Sequence, residues 1–123
     1  MTQIAHAGQT DGGGFVAFDI RWDGDLSGAS SVRWVAKVTS PEGDGCVELG
    51  YEQVGGRFDS QYVLDASTGK RQAVEENADL GDGEITVRFP ADVVGVAATW
   101  PTWTAMIAVD GTDAAEHVIP KAT

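Results

Sequence analysis

Carboxylates gather at three places in this sequence: Asp23 with Asp25, Glu42 with Asp44, and Asp79 with Asp82 and Glu84. Each group sits beside glycines, as turn residues do. Oxygen-rich turns are also the material of calcium sites, which take about six to eight oxygens from side chains and carbonyls. A calcium reading would use Asp23, Asp25, Asp79 and Asp82. Asp23-Gly24-Asp25 is only a fragment of a calcium-loop pattern, however, so ordinary turns are the expectation and no metal is assigned. Paired carboxylates can also run glycoside hydrolysis, but no pair here stands apart from the rest.

Other reactive side chains are few. The two histidines, His6 and His117, lie near opposite ends of the sequence. They could share a metal or a pH response only if the terminal strands were neighbours. No Gly-x-Ser-x-Gly stretch is present, so no nucleophile and base are assigned, and the expectation is a protein that is not an enzyme and carries no cofactor. Cys46 is the single cysteine, which rules out an intrachain disulfide. Its acidic neighbours Asp44 and Glu48 disfavour a thiolate, so a partly buried, unreactive thiol is expected. Trp100-Pro101 is the most unusual local feature. A tryptophan beside a proline near a loop could stack on a sugar or anchor a protein contact, and Trp100 and Pro101 are the candidate interaction residues. The alternative has Trp100 capping the open end of the fold.

Composition narrows the partners. The chain has 123 residues, enough for one domain burying about 65% of its unfolded surface. It carries 8 basic and 19 acidic residues, a formal charge of −11. That charge repels phosphate backbones and anionic lipid surfaces, so neither nucleic acid nor membrane is expected as a partner. Basic partners are favoured. The start, Met1-Thr2-Gln3-Ile4-Ala5-His6, does not read as a signal peptide, and no run is long enough to span a membrane as a helix.

The elements that must position these residues are strands. Glu84 to Phe89 alternates strictly, with Ile85, Val87 and Phe89 on one face. Val16, Phe18, Ile20 and Trp22 form a similar series. Val32, Trp34, Ala36 and Val38 point inward in the next strand, with Arg33, Val35, Lys37 and Thr39 outward. Val47, Leu49 and Tyr51 follow. Gly55-Gly56 marks a hairpin into a strand over 57–64, with Phe58 and Tyr62 inward. Residues 71–74 read as a short edge strand and 75–82 as irregular. Trp103, Ala105, Ile107 and Val109 form a late strand, and 116–119 a final short one. Pro90 to Gly95 reads as a single helical turn. Residues 1–14 read as an N-terminal arm with a Gly12-Gly13-Gly14 hinge, and 15–123 as a single domain. The expected fold is all-β: a two-sheet antiparallel sandwich of about seven or eight short strands, with a barrel as the alternative.

The segments Val47-Glu48-Leu49-Gly50-Tyr51, Gln61-Tyr62-Val63-Leu64-Asp65 and Gly83-Glu84-Ile85-Thr86-Val87-Arg88-Phe89-Pro90-Ala91, with Gly95, carry a family likeness. Together they resemble the DOMON-like β-sandwich modules of secreted actinobacterial proteins. The resemblance covers about residues 45–110 and implies a non-catalytic sandwich, in some members used to bind ligands or sugars. The chain departs from that group in lacking a leader. It also lacks a haem-ligand pair, since Met106 has no histidine nearby in sequence, so haem is not carried over.

The expected function is therefore a structural or interaction protein within a larger assembly, with protein partners or copies of itself. A capsid decoration or minor virion protein of a tailed phage is the concrete form, because phage proteins leave the cell by lysis and need no leader. A secreted carbohydrate-binding or adhesion module is the alternative. The expected location is the virion or the extracellular space.

Overall fold

The structure, a computed structural model, describes residues 3–26 and 28–119. Ten strands follow in chain order: β1 (Gln3–Gly12), β2 (Phe15–Asp23), β3 (Ser31–Thr39), β4 (Cys46–Val54), β5 (Arg57–Asp65), β6 (Lys70–Val74), β7 (Ala78–Gly81), β8 (Glu84–Pro90), β9 (Thr102–Val109) and β10 (Thr112–Ile119). A helical turn, α1 (Ala91–Val94), and a 3-10 helix over Gly95–Thr99 join β8 to β9. Among the described residues, no helix is long and apolar enough to cross a membrane.

The strands form two antiparallel sheets. One has the order β1-β2-β8-β7 and the other β10-β9-β3-β4-β5-β6. The alternation expected from the sequence supplies the two inner faces. Val16, Phe18 and Ile20 with Ile85, Val87 and Phe89 line the smaller sheet, and all are buried. Trp34, Ala36, Val38, Leu49, Trp103, Ala105 and Ile107 line the larger one. Phe18 stacks on Phe89 at 5.9 Å between centroids. Burying one such side chain contributes about 1.5–3 kcal/mol, so these faces hold the sandwich shut. Strands β1 and β10, the outer strands of the two sheets, lie against each other and close one side.

Several expectations need correction. Within the expected N-terminal arm over 1–14, residues 3–12 form a strand: β1 pairs with β2 along its whole length, and Gly13-Gly14 is a hairpin turn with φ of 61° and 83°. Both positive angles suit the turn that matches strand twist, which is why glycines stand there. The strand is hard to read because it is an outer one. Of its apolar residues only Ala7 is buried, and the pairing shifts between Ile4 and His6. The stretch 75–82 contains β7, and β10 begins at Thr112, well before 116.

Tyr62 faces outward, not inward. The β4–β5 register slips beside Glu52 and Gln53, so Gln53 pairs with Phe58 while Glu52 pairs with Ser60. One extra residue reverses the side-chain alternation. Phe58 therefore stays on the inner face, 5.4 Å from the Tyr51 ring, while Tyr62 crosses to the outer face. There the hydroxyl end of its ring lies over Gly50, too close for an added Cβ to fit. Val35 faces outward as expected, and is fully buried on this face in the same cross-strand row as Gly50 and Tyr62. Arg71 sits over the Tyr62 ring at 4.1 Å, a cation–π contact.

Candidate functional site

A cavity of about 330 Å³ opens at one end of the sandwich. Three connections surround it: the loop after β2, the β4–β5 hairpin turn and the β7–β8 turn. The lining includes Gly24, Gly56, Gly81 and Gly83. With no side chains at those positions, the turns cannot fill the space between the sheets. The volume is that of a small-ligand or anchor-residue pocket.

Trp22 and Trp34 form its aromatic wall, with ring centroids 5.4 Å apart and planes inclined at 43°. Trp22 ends the inward series of β2 and is half-buried, not deep in the core as its alternation implies. Its backbone N–H donates to the Gly83 carbonyl at 3.0 Å, which ties β2 to the β7–β8 turn. Trp34 comes from the opposite sheet. The aromatic row continues behind it, through Tyr51 at 6.1 Å to Phe58. Tyr51 donates its hydroxyl hydrogen to Glu76 at 2.7 Å. Burial, and secondarily the Glu76 carboxylate, push its pKa up to about 12.

Polar groups interrupt the apolar lining at Ser31, Gln53, Asp25 and Asp82, and Leu80 stands at the rim. No lysine, arginine or histidine lies among the described residues that line it. The indole N–H of Trp34 is buried and has no hydrogen-bond partner among the described residues. The Trp103 indole, in contrast, donates to the Trp100 carbonyl at 3.0 Å.

The structure separates the four aspartates of the calcium reading. Asp25 and Asp82 share the cavity. Asp23 is exposed at the end of β2, opposite Gln3. Asp79 pairs with Arg88 at 2.7 Å. Among the described residues, no three acid, histidine or cysteine side chains converge as a metal-ion group. Asp44 serves a turn, accepting a hydrogen bond from the Ser40 hydroxyl at 2.8 Å. His6 lies 3.5 Å from Asp19, and His117 is exposed on β10. Cys46 is half-buried; burial, and then Glu48, raise its thiol pKa and hold it protonated.

Trp100 and Pro101 lie at the far end of the sandwich from the cavity. Pro101 is exposed, but Trp100 is half-buried and packs on the core. Its ring tip lies so close to Gly45 that an added Cβ would sit 3.0 Å away. Reading residues by their local strangeness thus favours Trp100 over the Trp22–Trp34 pair, whose members look like ordinary inward strand residues. The signal that could have found the cavity is the run of turns rich in glycine at one end. Compared with known proteins, the sequence matches no family model and no curated protein.

Proposed function

We propose that this protein is a non-enzymatic structural or interaction protein working within a larger assembly, most concretely a capsid decoration or minor virion protein of a phage. One observation carries the reading. The large apolar side chains left exposed among the described residues fall at the two ends of the sandwich. Val54, Phe58 and Leu80 surround the cavity end, at 50%, 40% and 43% exposure. Phe15 and Val96 stand at the helical end, at 41% and 69%. Apolar groups grouped in this way are what a partner covers. The outer strands β6 and β7 offer further backbone groups for strand addition.

The test is fractionation on a density gradient of a lysate from cells that make the protein in its native context. Co-sedimentation with capsid-sized particles, reduced by Leu80→Asp with Phe58→Ser, supports the reading. Recovery of the unaltered protein only at the top of the gradient removes it. A carbohydrate-binding module is the second reading, favoured by the Trp22–Trp34 wall of the cavity. A titration with neutral methyl glycosides addresses it.

A further inference from the structure

We propose that the end cavity is a socket for one basic side chain, arginine or lysine, presented by a partner protein. The inference rests on the assembly reading and names the chemistry of the contact.

Three features of the cavity point to a cation. Asp25 and Asp82 are its only ionisable lining groups among the described residues, and both are acidic. The protein as a whole carries a formal charge of −11, which draws basic partners and repels acidic ones. Trp22 and Trp34 form the wall, and indole is the aromatic system with the strongest attraction for cations. The centroid spacing of 5.4 Å leaves no gap between the two rings. The cation would therefore sit on the outer face of Trp22, the less buried of the two rings, in the cavity that Asp82 also lines.

One further feature favours a residue within a protein over a free amine. The cavity is rimmed by exposed Leu80, with Phe58 and Val54 at the same end. An apolar rim around a pocket that takes an arginine is a common design of a binding hot spot.

The experiment titrates the whole protein with N-acetyl-arginine amide, N-acetyl-lysine amide and the neutral isostere N-acetyl-citrulline amide. The readout is the NMR shift of the Trp22 and Trp34 indole N–H signals, with Trp100 as the remote control. Arginine and lysine amides should bind at least about tenfold more tightly than citrulline amide, as a desolvated charge contact implies. Asp82→Asn and Trp22→Leu should each weaken arginine binding by about fivefold or more. Asp82 is exposed, so its variant should fold even if the tryptophan variant does not. Equal binding of citrulline and arginine amides overturns the proposal. So does an absence of indole shifts, or binding of neutral methyl glycosides in place of the cations. If Asp82→Asn co-sediments with particles as well as the unaltered protein does, the socket falls and the assembly reading survives. Arginine binding without particle association preserves the socket chemistry and removes the assembly.

Discussion

Gln61 fastens one sheet to the other at Arg88. Its side-chain nitrogen donates to the Arg88 carbonyl at 2.7 Å, and its side-chain oxygen accepts the Asn77 N–H at 2.8 Å. The Arg88 N–H in turn donates to the Asn77 carbonyl at 2.9 Å. Gln61 belongs to β5 and Arg88 to β8, so a single amide crosses the interior and also anchors the connection between β6 and β7. It is 1% exposed.

Replacing Gln61 with leucine should therefore cost about 2–4 kcal/mol, because it leaves a part-buried carbonyl and a part-buried N–H together without partners. Urea unfolding of the variant measures this. A loss below about 0.5 kcal/mol would show that the bridge is dispensable.

The outer-face position Gly50 gives a second prediction. Gly50→Ala should destabilise by about 1–3 kcal/mol, because the Tyr62 ring occupies the space the methyl group needs. The same substitution in a Tyr62→Ala background should cost much less. If the two losses simply add, the clash is not the cause.

Much of this architecture is legible in the sequence, and the exceptions are specific. Strands β2, β3, β4, β8 and β9 alternate because one face of each meets the core. Strand β1 has no such signature, since an outer strand with small and polar residues buries little. Gln61 and Tyr62 are illegible for another reason. The extra residue in β5 moves Tyr62 outward and places a polar residue inward, and no local pattern announces it. Of the candidate site, the acidic turns at Asp25 and Asp82 are visible in the sequence. Their convergence with Trp22 and Trp34 depends on which turns share an end, which is a property of strand order.

Tyr51 should titrate late. Its pKa lies near 12, against 10 for an unperturbed tyrosine, because its burial disfavours the phenolate. The folded state thus holds this proton more tightly than the unfolded state. The stability it contributes is fully present below pH 10 and declines as pH rises towards about 12. Phenolate absorbance in the intact protein, compared with Tyr51→Phe, reads the shift. Phenolate formation by Tyr51 near pH 10 in the folded protein would contradict it.

Asp110 has a left-handed backbone, φ 52°, in the turn between β9 and β10. Its carboxylate accepts the Ser30 and Ser31 N–H groups at 2.7 Å and 3.0 Å. Asp110→Ala should cost about 1–3 kcal/mol, from two lost hydrogen bonds and a strained alanine. Asp110→Gly should recover the strain component only. Equal stability of the alanine and glycine variants would show that strain plays no part.

The meeting of β1 with β10 has a consequence for synthesis. Strand β1 must wait for β10, which follows it far along the chain, before that side of the sandwich can close. Until β10 leaves the ribosome, β9 presents an unpaired edge with Ala105 and Ile107 on its core face, and long-range closure of this kind folds slowly. A nascent chain stalled before Thr112 should therefore depend on chaperones, and truncation there should convert a monodisperse product into aggregates.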